Sequence, residues 1–275
     1  FSFIVGMPLA ALLIRLGTWR TPFIAVNARD VLSRHGLDSF EALWTLKADA
    51  VDAPNTGRGG WSSVCRLELE DANGQVQRFY LKRQDDHCTR TLSSPLGEPT
   101  FAREFRAIQT YARQGIPALE AAFFAQRNER GHAQAVLLTR ALDDYAPLDE
   151  WFERWSQLSS AEIRTLIQSA AALVRALHNA DRIHNCLYPK HVFLRLHSDG
   201  AGARLIDLEK TRRAIFGQRD LIRDLETLHR RSLVPSRTQR LRFVLAYLGK
   251  PRLDAEARAF VRALARRTAG KRMNR

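Results

Sequence analysis

His184-Asn185-Cys186-Leu187-Tyr188-Pro189-Lys190-His191-Val192-Phe193-Leu194, followed by Leu205-Ile206-Asp207-Leu208-Glu209, is the stretch on which the reading of this chain turns. Upstream, Ile163, Leu166, Ile167, Ala170, Leu173, Val174 and Leu177 recur at helical spacing, and Ser159 to Glu162 has the form of a capping box. A long amphipathic helix therefore leads straight into the His184 loop. Downstream, residues 192–196 and 204–208 read as two short strands about a Ser-Asp-Gly turn. The second of them carries Asp207.

The sequence before this helix is strand-rich. Val31, Leu32, Phe40, Leu43 and Trp44 predict one or two short helices over 28–46. Pro54-Asn55-Thr56-Gly57-Arg58-Gly59-Gly60 then breaks all periodicity. Residues 64–70 alternate as a half-buried strand does, Asn73-Gly74 is a strong hairpin signal, and 76–82 supplies a returning strand that ends in Lys82. A polar loop is expected over 84–97. Pro99 opens a helix to about Arg113, closed by Gly115 and Pro117. Phe101, Phe105, Ile108 and Ala112 make its buried stripe. Glu104 lies on that stripe, where a carboxylate is costly unless it meets a cation. Two more strands are expected at 121–126 and 135–139 about a turn at 128–131. Helices are expected from Leu148 and again from Arg219. The fold class is α+β: an apolar, helical extension over 1–36, a small antiparallel-sheet part with one helix over 37–140, and a larger helical part with a basic tail over 141–275.

At 275 residues and 45% hydrophobic content, the chain is long enough for two packed lobes. Lys and Arg number 43 against 29 acids, a formal net charge of +14. Such an excess predicts an acidic partner: nucleic acid, an anionic leaflet or a phosphorylated substrate. From Arg258 onward there are seven basic residues and no acid, so the tail is either a contact with an anionic surface or a solvated basic helix. No nucleic-acid module accompanies the charge, and no specific nucleic acid is expected as a partner. Cys65, Cys88 and Cys186 are scattered, which argues against a disulfide framework or zinc site and for a reducing compartment. Residues 1–14 are apolar, but Arg15 ends the run short of the roughly 20 residues a spanning helix needs. The run reads as a surface-lying or packing helix, with Met7 a plausible initiator.

The two stretches quoted first have the layout of a protein-kinase catalytic loop and metal-binding strand end. There, His-Arg-Asp is followed by Asn and later by Asp-Phe-Gly. Cys186 stands where the base Asp would be, His191 where the metal-binding Asn would be, and Asp207 is kept. Phosphoryl transfer asks a protein mainly to position the nucleotide phosphates and to neutralise their charge. Gly57, Gly59 and Gly60, with Ser62 and Ser63, form either a turn whose backbone N–H groups approach phosphates or simply a turn. Lys82 is placed for the α- and β-phosphates, or is a snorkelling edge lysine. Glu104 is its natural partner, unless it pairs with Arg103 or Arg106. Asp207 offers carboxylate oxygens to Mg2+. His191 binds a second metal, touches a phosphate oxygen, or anchors the loop. His184 reads as structural, and Asp220 and Asp224 as acids that hold the loop backbone. The ordered set predicts a protein-kinase-like fold of two lobes and requires Lys82 and Asp207 to act on one triphosphate.

The runs Arg58-Gly59-Gly60-Trp61-Ser62, Leu81-Lys82-Arg83-Gln84, Pro99-Thr100-Phe101-Ala102-Arg103-Glu104-Phe105, Cys186-Leu187-Tyr188-Pro189-Lys190-His191 and Ile206-Asp207-Leu208-Glu209-Lys210 carry a more specific likeness. Over roughly 37–228 the chain resembles the lipopolysaccharide core kinase superfamily, the WaaP-like Kdo and heptose kinases, and within it the InaA-like branch. The resemblance implies a protein-kinase-like fold and ATP with Mg2+. It also implies phosphorylation of a sugar hydroxyl in the lipid-anchored core, or a related acidic glycolipid, at the cytoplasmic face of the inner membrane. The loop of the core heptose kinases looks like His-Arg-Asp-Cys-Tyr-x-x-His, which Tyr188 and His191 match and Cys186 does not. General-base help is worth about 10²–10⁴ in rate, and a thiol with a pKa of about 8.5 is a poor base near neutrality. Lys190 and His184 are near enough in sequence to lower it. Alternatively Cys186 is a small buried residue, and Asp181 is a conceivable stand-in. Two functions follow. One is an ATP-dependent kinase of a lipopolysaccharide core sugar, docked to the anionic leaflet by its tail. The other is a pseudokinase acting as a nucleotide-responsive scaffold or regulator in envelope or lipopolysaccharide assembly.

Overall fold

The computed structural model describes residues 21–49, 51, 55–56, 59–91 and 94–273, so the expected helix over 1–14, Met7 and Gly57 lie outside the described residues. The chain divides into two compact units, Phe1–Arg106 with Glu120–Ala141 and Ala107–Leu119 with Leu142–Arg275. Along the first run β1 (Phe23–Ile24), α1 (Val26–Arg34), α2 (Phe40–Thr45), β2 (Trp61–Glu70), β3 (Val76–Asp85), β4 (Cys88–Thr91), β5 (Ser94–Pro99), the start of α3 (Thr100–Gln114), β6 (Ala121–Glu129) and β7 (His132–Arg140). Strands β1-β6-β7-β3-β2 form one antiparallel sheet in that order.

The sheet follows from its turns and its alternation. Asp71 caps the β2–β3 hairpin by accepting the amides of Asn73 at 2.9 Å and Gln75 at 3.0 Å, while Gly74 takes φ +74°. Cys65, Leu67 and Leu69 of β2 fall on one side of the pleat with Phe79 and Leu81 of β3. That side is covered by Val31, Leu32 and Leu43 from α1 and α2. Lys82 has the opposite parity. It lies between Val64 and Leu137 on the face against which Phe105 of α3 stacks on Phe124, ring centroids 4.3 Å apart.

Two expectations are corrected here. The stretch 84–97 is not all loop: β4 and β5 pair within it as a hairpin. The buried stripe of α3 is Ala102, Glu104, Phe105, Ile108 and Tyr111, with Phe101 half-buried and Ala112 exposed. Tyr111, the larger apolar side chain, takes the place expected for Ala112.

The second unit, after the end of α3, contains β8 (Ala146–Pro147), α4 (Leu148–Glu153), α5 (Ser160–Asn179), β9 (Arg182–Ile183), β10 (Val192–His197), β11 (Gly200–Leu205), β12 (Arg212–Arg213), α6 (Gln218–Arg231), α7 (Arg237–Leu248) and α8 (Ala255–Met273). Helix α5 starts on the capping box: the Ser159 hydroxyl accepts the Glu162 amide at 3.2 Å and Glu162 Oε2 accepts the Ser159 amide at 2.7 Å. Its apolar face packs on α7 and on the β10–β11 pair. Helix α8 buries Ala257, Phe260 and Leu264 and leaves Arg258, Arg262 and Arg266 in solvent. No helix of the described residues is long and apolar enough to cross a membrane.

Candidate functional site

Strand β3 is hydrogen-bonded on both sides, so its side chains are aimed by the sheet rather than by their own rotamers. Lys82 Nζ lies 2.7 Å from Glu104 Oε1, with the lysine side chain 17% exposed and the glutamate 3%. The ring of Phe101 adds an aromatic face 5.9 Å from the ammonium. The costly carboxylate of the helix stripe thus has the cation it needs. Arg103 and Arg106 turn instead to Glu98.

A residue to which the sequence reading gave no role fixes this geometry. Gln84 is fully buried two positions beyond Lys82, on the same side of the strand. Its Oε1 accepts the Phe101 amide at 2.7 Å and the Thr100 hydroxyl at 3.0 Å, and its Nε2 donates to the His87 carbonyl at 2.7 Å. The side chain therefore caps the first turn of α3 and ties it to β3, setting the distance that Lys82 and Glu104 span. A glutamine after a basic pair is an unremarkable sequence signal. Only the extended run of α3 stop and start residues around Pro99 could have pointed to it.

Of the glycine-rich turn, Gly59 takes φ +82°, a conformation that suits glycine. Gly60 is needed for a different reason: a Cβ there would stand 2.1 Å from the Asp85 carbonyl oxygen and 2.7 Å from the His87 amide. Backbone is packed on backbone, which pins the start of β2 to the end of β3. The Ser62 amide donates to the Asn55 carbonyl at 2.9 Å and its carbonyl accepts in return, so that N–H is already engaged. Ser63 pairs with Arg83 and lies on the side of the sheet away from Lys82, its hydroxyl buried without a partner among the described residues. Beside this turn, His132 Nδ1 stands 3.2 Å from Asp85 and 2.8 Å from Asp86. The remaining oxygens of these two acids accept from Gln134 and from the Ala133 amide, so the group serves as a clasp for the strand ends.

In the second unit the His184 loop hangs on one buried acid. Asp224 of α6 accepts the amides of His184 at 2.7 Å and Asn185 at 2.8 Å. Its Oδ2 also accepts from His178 Nε2 at 3.3 Å, and His178 Nδ1 takes the Tyr247 hydroxyl at 2.9 Å. Burial pushes the Tyr247 phenol up to about 12, which keeps it a donor. His184 is structural: its Nε2 donates to the Ile206 carbonyl at 2.9 Å. Asp220 is the second support. It is gripped on both oxygens by Arg212 at 2.7 and 2.8 Å, which lowers its carboxyl to about 2.

His191 Nδ1 lies 2.9 Å from the Cys186 carbonyl, which accepts only, so Nδ1 bears the proton. His191 Nε2 stands 3.2 Å from Asp207 Oδ2. Burial lowers the pKa of the ring, with the Asp207 charge opposing. An imidazole nitrogen and a carboxylate oxygen side by side are a donor pair that fits a divalent metal. Anchor and ligand are thus compatible roles for one imidazole. Asp207 is 41% exposed and sits in the left-handed region at φ 57°, as do Asn185 at 63° and Asp181 at 53°. Cys186 is buried while Lys190 is exposed. Asp181 is exposed in the turn after α5, where its carbonyl accepts the Ala214 amide at 2.8 Å.

The model of the lipopolysaccharide kinase (Kdo/WaaP) family matches residues 41–260 of this chain. Among curated proteins the chain is similar to Protein InaA of Escherichia coli (strain K12), 28% identical over 195 residues that make up 70% of this chain and 88% of that protein. Among solved structures it is similar to one titled WaaP in complex with acyl carrier protein. The TM-score is 0.64 and the identity 19%, over 90% of this chain and 98% of that one, a likeness of fold.

Proposed function

Because the chain belongs to the lipopolysaccharide kinase (Kdo/WaaP) family, we propose that it transfers the γ-phosphoryl group of ATP to a sugar hydroxyl of a lipopolysaccharide core or a related acidic glycolipid. The observation that carries the reading is the buried Lys82–Glu104 pair. A lysine paired with a buried carboxylate, with its strand tied to the partner helix through Gln84, is an electrostatic device rather than a solubilising one. On this reading the two compact units are the two lobes of a protein-kinase-like fold. The first, matching the proposed extension over 1–36 and lobe over 37–140 except for residues 107–119, supplies the glycine-rich turn, Lys82 and Glu104. The second, over 141–275, supplies the His184 loop and Asp207.

Lys82 neutralises α- and β-phosphate oxygens, and Glu104 fixes the direction of its ammonium. Gly57, Gly59 and Gly60 bring backbone close to the phosphates, and Ser62 offers its hydroxyl on the Lys82 face, while Ser63, on the other face, supports the turn. Asp207 and His191 would hold the divalent cation, which offsets charge on the transferred group when bound. A carboxylate oxygen with an imidazole nitrogen suits Mn2+ at least as well as Mg2+, because Mg2+ favours oxygen donors. Cys186 occupies the position of the group that would take the proton of the acceptor hydroxyl. The exposed arginines of the C-terminal helix dock the protein on the cytoplasmic face of the inner membrane.

Transfer of labelled phosphate from ATP onto purified core oligosaccharide tests the proposal. Transfer above a no-enzyme control, lost in Lys82→Ala and Asp207→Asn, is the expected result, and none above that control defeats the assigned activity. One observation favours a second reading. Cys186 is buried and puts a thiol where the base carboxylate is expected, which suits a nucleotide-responsive scaffold or regulator. In that case ATP with metal raises the melting temperature, Lys82→Ala abolishes the shift, and no phosphate moves.

A further inference from the structure

Among the described residues, four large apolar side chains of the second unit stand in solvent, and they bracket one helix. Ile215 (72% exposed) and Phe216 (65%) precede α6, and Leu233 (68%) and Val234 (52%) follow it. Scattered single apolar residues on a surface are ordinary, but adjacent pairs this exposed mark a contact. The exposure of Ile215 and Phe216 is not slackness. Asp220 Oδ2 accepts their amides at 3.0 and 3.1 Å, and Arg212 holds both oxygens of the same carboxylate. The turn is clamped from beneath while its two side chains project outward.

The charge along the turn is mostly basic, although the exposed Asp181 stands beside it, its carbonyl accepting the Ala214 amide at 2.8 Å. From Lys210 to Arg219 there are four basic residues and no acid. Arg213, Arg219 and Arg223 are exposed, and the acid within α6 closest in sequence, Asp220, is buried against Arg212. Two apolar side chains flanked in the chain by three exposed arginines against one exposed acid are enough for an interfacial anchor on anionic lipid. A stable protein interface wants an apolar centre within about 800 Å² per partner, and like charges around a pair of side chains do not supply one.

We propose that the Ile215–Phe216 turn is a membrane anchor. Its side chains enter the boundary between headgroups and acyl chains of an anionic bilayer, and Arg213, Arg219 and Arg223 meet lipid phosphates. The inference rests on the membrane association proposed above but assigns insertion to this turn rather than to the C-terminal helix. It requires no phosphoryl transfer.

The test is co-sedimentation of the full chain with vesicles of phosphatidylethanolamine and phosphatidylglycerol, against vesicles of phosphatidylcholine. The chain binds the anionic vesicles preferentially. Ile215→Ser with Phe216→Ser lowers that binding about tenfold or more, as loss of a buried large apolar side chain implies. Val26→Ser, at an 87% exposed site in the first unit, leaves it unchanged. In Phe216→Trp, the fluorescence gained over wild type shifts to the blue on binding and is quenched by brominated acyl chains. Undiminished binding by the double serine variant, with no quenching of the introduced indole, overturns the anchor and leaves membrane association to the C-terminal helix. Failure to bind any vesicle overturns both. A change in oligomeric state of the double serine variant by light scattering, with vesicle binding intact, shows a protein contact and also overturns the anchor.

Discussion

Asp224→Ala is the substitution whose cost the structure specifies best. The carboxylate accepts two backbone amides, His184 at 2.7 Å and Asn185 at 2.8 Å, and a third bond from His178 at 3.3 Å. Leaving a buried donor unsatisfied costs about 1–3 kcal/mol. Two such amides therefore cost roughly 2–6 kcal/mol, a large part of the 5–15 kcal/mol that holds a typical domain together. Asp224→Asn is milder but still harmful, because its one oxygen serves one amide while its NH2 faces the other donor. Hydrogen exchange read by mass spectrometry over residues 182–192 is the assay, with 193–205 as an internal control, alongside urea unfolding. The amides of His184 and Asn185 should lose protection in the alanine variant well before the control strands do. Protection equal to wild type, or a stability loss below about 1 kcal/mol, would refute the reasoning. The loop would then be held by its other bonds, among them His184 to Ile206, His191 to Cys186, and the Ile206 amide to the His191 carbonyl.

Gln84→Leu keeps the volume but strands the Phe101 amide and the His87 carbonyl. It should cost roughly 2–4 kcal/mol and weaken the thermal shift given by ATP with metal; an unchanged shift would show that Lys82 and Glu104 find each other without it. The Asp220 carboxyl, held at about 2 by Arg212 against 3.8 when free, contributes stability that is complete above pH 4. That contribution, about 2 kcal/mol, should fade as pH falls from 4 toward 2, and a urea midpoint that responds to acid identically in Asp220→Asn would contradict the assignment. Cys186→Asp restores an acceptor for the hydroxyl proton and should raise transfer by about 10²–10⁴ if chemistry limits the rate. A rate unchanged from wild type would locate the limitation elsewhere.

What could be read from the sequence was whatever local chemistry determines. Asn73-Gly74 announces its hairpin because only a left-handed turn closes it, and Ser159 with Glu162 announces α5 because the two side chains satisfy two amides at once. Glu104 was legible as the partner of a cation, since a carboxylate on an apolar stripe has few other outcomes. Hairpin β4–β5 was not, because its Ser, Thr, Arg and Pro residues carry neither alternation nor an apolar run. Gln84 was missed for a deeper reason: its partners lie 3 to 17 residues away, and a buried amide looks in sequence like any surface one. The pairing of His191 with Asp207 depends on which ring nitrogen faces the Cys186 carbonyl, which spacing does not encode.

The three non-glycine residues of the second unit that are left-handed among the described residues set a course for any laboratory evolution of this protein. Asp181, Asn185 and Asp207 each hold a conformation that glycine adopts without steric penalty. Selection for heat tolerance alone should therefore favour glycine first at 181, where the side chain reaches into water and binds nothing described here. The same replacement at 207 would relax the backbone equally well and erase the carboxylate. Libraries screened once for survival and once for activity would diverge at that codon, and the divergence would mark where the protein keeps an awkward backbone for the sake of its chemistry.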